Sequence, residues 1–312
     1  MPLNINTNTA ASSASYYLSK NNAALQKSLT RLSSGKRITQ PADDAGGLAV
    51  SMKLQGTINK MVGVEKNIDN AISFLQVQDG VLESAGQIMD RMAELKALSQ
   101  DVLKNSSDVA NHNAEFQNLQ VQLFQMSETK FNGVSLFGAG TNAIFGDTTN
   151  TKKVTVSIFT SATGESGSLV SINKSMLLSA LTIVSNTLGS VTHSSATNAG
   201  AANSAGNFTF AVSTSAGAMT LDKVSVGVYT QALQNIATLR AENGGSVSRL
   251  QFAKESTMAQ RTNLEAANGR IMDVDIAQES TRLAKYNILV QASASMLSQA
   301  NSTPNVALML LN

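Results

Sequence analysis

Apolar residues recur every seven positions near both ends of the chain. The two sets are Leu18, Leu25, Leu32 at the N-terminal end and Ile276, Leu283, Val290, Leu297 at the C-terminal end. A seven-residue repeat places its members on one narrow stripe of a helix, as in a coiled coil. The pattern therefore predicts a helix over residues 14–34 and a second helix from Ile276 that Pro304 closes. We call these seven residues the terminal seam.

Longer helices are predicted between the two ends. From Leu54 to Ala93 apolar residues follow at spacings of four and three, and a parallel set carries the pattern to Leu103. These spacings predict a helix that begins near Asp44 and is roughly 90 Å long. Another long helix is expected from Val226, with a bend at residues 243–245, where an Asn-Gly-Gly sequence interrupts the pattern.

A shorter helical pattern follows the first long helix. Residues 105–113 are polar and turn-rich, and apolar residues then recur at helical spacing over residues 116–126. This order predicts a turn and a third helix that folds back antiparallel to the second.

The segment between the first two predicted helices contains residues that end one helix and residues that begin the next. Gly35 can adopt the left-handed conformation that ends a helix, so the first helix is expected to end near Ser34. Pro41 fits an early helical position, and the carboxylates of Asp43 and Asp44 suit the positive end of a helix dipole. Two adjacent carboxylates could also serve acid–base chemistry or a metal, but no nearby His, Cys or Glu completes such a site.

The middle of the chain has a different pattern. The Asn132-Gly133 pair predicts a tight turn, and alternating runs over residues 154–159 and 208–212 predict short strands. A short helix is expected over residues 175–188. The fold class predicted is mainly α, a long antiparallel helical coiled-coil bundle built from both chain ends, with a small β-rich insert in the middle.

Composition narrows the function classes. Charged residues make up 14% of the 312 residues, against a usual value of about 25%, and the net charge is +2. No strong field attracts nucleic acid or an acidic membrane. Cysteine is absent, which excludes disulfides and thiolate sites. The first 15 residues lack the pattern of a secretory signal, and no apolar run approaches the length of a membrane span. We expect no cofactor, no nucleic acid and no membrane partner.

The terminal helices are too weakly apolar to be stable alone. A helix of three heptads, rich in Ser, Thr and Asn and with one thin apolar stripe, is marginal in water. Pairing of the two ends buries little, so additional burial between subunits is needed. We therefore expect both ends to be disordered in a monomer and helical in an assembly, with the terminal seam acting as the assembly seam.

Four segments resemble a known family. They are INTNTAA, LTRLSSGKRI and ADDAGGLAVSMKL near the front, and AANGRIMDVDIAQESTRLAKYNILVQASASMLSQANSTPNVALMLL at the back. In this order they are similar to the two ends of bacterial flagellins, the subunits of the flagellar filament. The resemblance covers both ends of the chain and not the middle.

The resemblance implies a domain organisation. An inner filament-core helical domain is formed by residues 1–42 and 270–312. An outer core helical domain is formed by residues 43–179 and 226–269, with a β-hairpin region near 138–179. Residues from about 180 to 225 form a short variable surface insert.

The resemblance also implies a function and partners. The chain is expected to be a structural protein that self-assembles into a helical filament for bacterial motility. It is expected to leave the cell unfolded through the flagellar type III export apparatus and to act outside it. Its implied partners are further copies of itself, an export chaperone, the filament cap and the hook-junction proteins.

Some flagellins are sensed by a Toll-like receptor through their outer helices. Arg91, Leu95 and Glu115 fit that contact pattern, whereas Ala93 stands where many members have Arg. An inter-subunit contact is the alternative interpretation of the same residues.

Three rival functions stay open at this point. A hook–filament junction protein has similar ends. A filament subunit could also carry an adhesin in its Ser/Thr-rich insert. Some flagellins carry a zinc peptidase there, but that requires an H-E-x-x-H motif, and this chain has only His112 and His193, far apart. An enzyme is therefore not expected.

Overall fold

The computed structural model describes residues 8–138, 155–184 and 207–311. Two compact units are present: unit 1 is formed by residues 1–60 and 260–312, and unit 2 by residues 61–259. The helices are α1 (Thr9–Ser34), α2 (Ala45–Ser99), α3 (Ser106–Ser127), α4 (Leu177–Ala180), α5 (Val226–Met272) and α6 (Ile276–Leu311). Helices α2 and α5 supply residues to both units.

The division between the two compact units does not test the predicted inner and outer filament domains, which stay a prediction. The division falls within α2 and α5, near residues 60 and 260, and not near residues 42 and 270. The described residues of the predicted insert, 180–184 and 207–225, belong to the same compact unit as the outer helices.

Three antiparallel strand pairs lie in the described residues of the middle of the chain. The strands are β1 (Lys130–Phe131), β2 (Val134–Ser135), β3 (Thr155–Phe159), β4 (Leu169–Asn173), β5 (Thr182–Val184) and β6 (Asn207–Thr209), paired β1 with β2, β3 with β4 and β5 with β6. Asn132 and Gly133 connect β1 to β2 with φ of 49° and 78°, as a tight Asn-Gly turn requires. The prediction of a mainly α fold with a small β-rich middle is confirmed.

Helix α1 ends where the sequence predicts and begins earlier. Gly35 has a φ of 69° and follows the last helical residue, Ser34. The start lies at Thr9, because the side chain of Asn8 accepts a hydrogen bond from the backbone N–H of Ala11 at 3.0 Å.

Helix α2 begins next to the predicted start near Asp44, but the prediction that Pro41 occupies an early helical position is wrong. The helix begins at Ala45, where Asp44 Oδ1 accepts the N–H of Gly47 at 2.8 Å. Pro41 lies in the preceding turn. A Cβ at Gly47 would lie 2.5 Å from Asp44 Oδ2 and 3.0 Å from Ile38 Cδ1, so glycine permits this close packing.

Helices α2 and α3 differ from their predicted limits on either side of their connecting turn. Helix α2 ends at Ser99 and not at Leu103. Helix α3 begins at Ser106, because the side chains of Asn105 and Asp108 each accept the other's backbone N–H in a capping box. Most of the polar residues 105–113, which the sequence predicts as a turn, thus belong to the first turns of α3.

Two further predictions in the middle of the chain are corrected. Helix α4 covers only Leu177–Ala180, and Thr182–Val184 form strand β5, because their β-branched side chains favour a strand. Residues 185–188 of the predicted helix lie outside the described residues. The strand expected over residues 208–212 ends at Thr209, while Phe210 and Val212 are buried.

The later helices are longer than predicted. Helix α5 is uninterrupted through residues 243–245, so the expected bend does not break it. Helix α6 continues beyond Pro304 to Leu311, so the prediction that Pro304 closes it is wrong. A hydrogen bond from the side chain of Asn8 to the carbonyl of Ala300 helps α6 to tolerate this proline.

The hydrophobic core lies in unit 2. Its largest fully buried side chains include Phe116, Phe210 and Tyr229, which make aromatic contacts with centroids 5.1–6.3 Å apart. In the described part of unit 1, the buried apolar side chains are Ile38 and Ile58.

Candidate assembly interface

Helices α1 and α6 pack against each other in unit 1. Their facing positions are spaced alternately by three and four residues, as in a coiled coil. On α1 these half-buried or buried positions are Ala11, Ala14, Leu18, Asn21, Leu25, Ser28 and Leu32, and on α6 they are Leu283, Tyr286, Val290, Ser293, Leu297 and Ala300.

Six of the seven predicted seam residues lie on these facing stripes. The exception is Ile276, the first residue of α6, which is 67% exposed. The other half of each stripe is small or polar, for example Ala14, Asn21 and Ser28 on α1. Because these side chains are small or polar, the pattern of apolar residues does not include this half of the stripe, although its members also recur every seven positions.

One hydrogen bond crosses the seam between side chains. Asn21 Nδ2 donates to Ser293 Oγ at 2.9 Å. A polar residue at an inner coiled-coil position specifies the register of the two helices, since a shift leaves it without its partner. Asn21 and Ser293 therefore fix how α1 lies along α6.

A second long-range hydrogen bond involves Asn8. Its Nδ2 donates to the carbonyl oxygen of Ala300 at 2.8 Å, while its Oδ1 caps α1. Proline has no N–H, so Pro304 leaves the carbonyl four residues earlier, that of Ala300, without its usual helical donor. The amide of Asn8 takes that place. This contact supplies a local reason why α6 tolerates Pro304.

The segment that connects α1 to α2 is hydrogen-bonded to the segment that connects α5 to α6. The N–H of Arg37 donates to the carbonyl of Met272 at 2.6 Å, and the N–H of Val274 donates to that of Gly35 at 3.0 Å. The guanidinium of Arg37 also donates to the carbonyl of Ile271, at 2.8 and 3.2 Å. The chain segments that leave α1 and α5 are thereby held together.

The carboxylate of Asp43, in the segment that connects α1 to α2, has several charged and hydrogen-bonding partners. It contacts Lys27 Nζ at 2.5 Å and accepts N–H and O–H bonds from Thr39 and an N–H bond from Gln40. The Lys27 ammonium, aided by the Thr39 and Gln40 donors, holds the pKa of this carboxyl well below its usual range, although burial opposes the shift. A carboxylate with so many partners is structural, which disfavours the acid–base alternative.

The outer faces of the terminal helices expose large apolar side chains. On α1 these include Tyr16 and Leu29, and on α6 they include Ile288 and Met296. The exposed fractions are 64% for Tyr16 and 66% for both Ile288 and Met296. Exposed apolar residues on both helices of one pair indicate a surface that another molecule covers.

The residues of the predicted receptor contact lie in unit 2, and the structure brings two of the three together. Arg91 Nε donates to Glu115 Oε1 at 2.8 Å, and Arg91 NH1 donates to Glu94 Oε2 at 2.7 Å. Glu115 raises the pKa of Arg91, and Arg91 lowers that of Glu115. Leu95 is fully buried in the core, so its side chain is not available to another molecule.

The Arg91–Glu115 pair also settles the direction of α3. The two residues lie almost equally far from the turn that connects α2 to α3, so a direct contact requires the helices to run antiparallel. The predicted α-hairpin has this arrangement.

Within residues 8–138, 155–184 and 207–311, no three or more His, Cys, Asp or Glu side chains come close enough to hold a metal ion. His112 Nε2 lies 2.8 Å from Lys104 Nζ, and His193 falls outside the described residues. Over the same described part of the chain, no helix has the length and apolar character needed to cross a membrane.

Comparisons with known proteins agree with this architecture. The bacterial flagellin N-terminal helical region matches residues 5–143, and the bacterial flagellin C-terminal helical region matches residues 226–311. Flagellin of Bacillus subtilis is 31% identical over 315 residues, which cover 99% of this chain and 100% of that protein.

Two further relatives cover similar lengths. Flagellin of Listeria innocua is 31% identical over 314 residues, which cover 99% of this chain and all of that protein. The flagellar filament 33 kDa core protein of Treponema phagedenis is 28% identical over 308 residues, 98% of this chain and 99% of that protein. With both terminal regions matched and full-length relatives above 30% identity, the chain belongs to the bacterial flagellin family.

Proposed function

We propose that this chain is a structural subunit that self-assembles through its two ends into the helical flagellar filament used for bacterial motility. The observation that carries the proposal is the α1–α6 pair, which has a coiled-coil seam inside and large apolar side chains outside. Membership of the flagellin family, and a relative named as a filament core protein, support a filament subunit over a hook–filament junction protein.

The energetics of unit 1 support assembly. Its described residues bury few apolar side chains, while burying a large aliphatic side chain is worth about 1.5–3 kcal/mol. Side chains such as Ile288 and Met296 contribute little while they face water. Neighbouring copies that cover them stabilise the pair, so the two ends are disordered in the monomer and become helical in the filament.

The geometry of an open filament sets a further requirement. Contacts in a helical polymer are heterologous, so each copy uses different faces for different neighbours. The outer faces of α1 and α6 provide two such faces in unit 1. The exposed pair of Arg91 and Glu115 in unit 2 is a candidate for another contact, either with a neighbouring copy or with a Toll-like receptor, and Leu95 takes no part in it.

Family membership also supports a proposal for the remaining partners and the location. The chain is exported unfolded through the flagellar type III apparatus, bound beforehand by an export chaperone, and is added beneath the filament cap above the hook-junction proteins. It acts outside the cell as part of the flagellum, has no catalytic role and needs no cofactor.

Electron microscopy of purified protein tests this proposal. The full chain and a chain reduced to residues 43–269 are each mixed with short filament seeds or precipitating salt. We expect long uniform filaments from the full chain and none from the shortened one. Filaments from neither contradict a filament subunit, whereas filaments from both show that the ends are not required.

A further inference from the structure

The turn between α2 and α3 exposes two adjacent aliphatic side chains. Val102 is 96% exposed and Leu103 is 94% exposed. The turn is held in shape, since the N–H of Leu103 donates to Asp101 Oδ1 at 3.0 Å and that of Lys104 to the carbonyl of Asp101 at 3.3 Å. We call Val102 and Leu103 the apolar tip. A shaped turn that presents two aliphatic side chains to water suits insertion into an apolar site.

Unit 2 also contains an apolar groove of about 490 Å³. Helix α2 and the hairpins β1–β2 and β3–β4 line it, chiefly through Phe74, Phe131, Val134, Val156, Ile158 and Phe159. Val134 is 48% exposed, so the groove is open at the surface. Asn67 and Asn70 also line it and supply amide groups that can bind a peptide backbone.

The groove has a defined shape. The rings of Phe74 and Phe131 meet edge to face with centroids 6.0 Å apart. Gln78 Nε2 donates to the carbonyl of Leu136 at 2.7 Å, which ties the segment after β2 to α2. A preformed apolar site with a few amides binds an aliphatic turn at a low ordering cost.

The tip cannot reach the groove of its own chain. Phe74 and Ser99 lie on the same helix, α2, 25 residues apart. At a rise of 1.5 Å per residue this is a distance of roughly 38 Å along a rigid element. The apolar tip can therefore enter such a groove only on another molecule.

We propose that the apolar tip of one copy inserts into the groove of the next copy in the filament. This inference rests on the proposed filament function and adds a specific contact in unit 2. The groove lies near the middle of α2 and the tip lies beyond its end, so the contact joins two different surfaces. Such a heterologous contact can repeat from copy to copy along an open filament. Because a second copy carries the matching tip, no further protein is needed.

Crosslinking between two positions tests the contact. Because the chain has no native cysteine, a thiol-specific reagent reacts only with the introduced cysteines. Leu103→Cys chains and Val134→Cys chains are polymerised together and treated with a short bismaleimide. We expect crosslinked dimers from the mixture, and a ladder of dimers, trimers and longer products when one chain carries both substitutions. Filaments that form normally and give no dimers would overturn the proposal.

Matched mixtures identify the partner surface. Leu103→Cys chains alone test contact between two tips. Leu103→Cys mixed with Phe252→Cys tests another exposed apolar position, since Phe252 is 69% exposed and does not line the groove. We expect no dimers from either control. Dimers from a control that equal those from the test mixture would overturn the assignment to the groove.

A second variant covers the case in which the cysteine chains do not polymerise. Val102→Ser combined with Leu103→Ser should leave the melting of the monomer unchanged, because both side chains are exposed. We expect the protein concentration needed for assembly to rise about tenfold or more, because the burial of two aliphatic side chains is lost. An unchanged concentration contradicts the tip contact, whereas unsubstituted protein that forms no filaments contradicts the proposed function itself.

Discussion

Units 1 and 2 are both built on long helices, but they hide their apolar side chains in different ways. Unit 2 packs Phe116, Leu82, Met89 and many others into one core, where they are fully buried. In unit 1 six of the seven residues of the terminal seam are half-buried, and side chains such as Tyr16 and Met296 face outward. This difference supports the proposal that unit 2 is stable by itself and that unit 1 depends on neighbouring molecules.

Polar contacts show the same difference. In unit 2 the buried amide of Gln120 both donates to the carbonyl of Met219 at 2.9 Å and accepts its N–H at 3.0 Å. Asn243 and Asn235, also buried, donate to the carbonyls of Leu75 and Ala180. These bonds tie α5 to α2, and tie α3 and α5 to the middle segments, inside one core. In unit 1 the interhelix bonds of Asn8 and Asn21 are only partly buried, and they set register more than they add stability.

The largest expected effect is the loss of assembly when a charge enters the seam. Leu283→Asp or Val290→Asp places an uncompensated carboxylate at a position that is buried in the filament, which is strongly unfavourable. We expect no filaments by electron microscopy, while the thermal unfolding of unit 2 stays unchanged. Normal filaments from both variants would contradict the role of the seam.

A pair of alanine substitutions tests the contrast in stability between the units. Phe116→Ala should lower the free energy of unfolding of the monomer by about 3–5 kcal/mol, because it opens a cavity in the core. Leu25→Ala should leave the thermal unfolding of the monomer unchanged and weaken only the filament. Calorimetry on monomers checks both. A clear loss of monomer stability in Leu25→Ala would show that unit 1 is already folded.

A smaller effect is expected at the contact between Asn8 and Ala300. Asn8→Ala removes a helix cap and the donor to a partly buried carbonyl, and should cost about 1–2 kcal/mol of filament stability. Pro304→Ala restores an intrahelical donor to Ala300, so the double variant should lose less than Asn8→Ala alone. Melting of filaments measures the coupling. Equal losses in the single and double variants would contradict the link to Pro304.

The smallest expected effect depends on pH. The pKa of Asp43 is lower in the folded protein than in the unfolded chain, so its contribution to stability is complete above the unfolded value of 3.8 and is lost as the pH falls towards the folded value. Asp43→Asn filaments should melt at a lower temperature than the unsubstituted ones at pH 7. That difference should shrink when the pH falls below about 3.8. A difference that does not vary with pH would contradict a charged Asp43.

Local patterns in the sequence predict much of unit 1. The seven-residue spacing of Leu18, Leu25 and Leu32 identifies the inner stripe of α1, and Gly35 marks its end, because both signals act within a few residues. Contacts between distant residues are not predictable in this way. The bond from Asn8 to Ala300 joins positions 292 apart, and without it Pro304 reads as a helix stop.

Unit 2 shows where local signals compete. Asn105 and Asp108 have the spacing of a capping box, but the polar composition around them favoured a long turn in the prediction. Thr182 to Val184 lie in an apolar run that suits either a helix or a strand, and pairing with Asn207–Thr209 selects the strand. The groove is formed by α2 and by the strand pairs β1–β2 and β3–β4, which are far apart in sequence, so no single segment indicates it.

Hydrogen exchange of the backbone, followed residue by residue in the monomer and in the filament, tests whether unit 1 becomes stable only in the assembly. We expect amides of residues 8–60 and 260–302 to exchange rapidly in the monomer and slowly in the filament. Core amides of α2, α3 and α5 in unit 2 should be protected in both states. Strong protection of α1 and α6 in the monomer would contradict the claim that unit 1 draws its stability from neighbouring subunits.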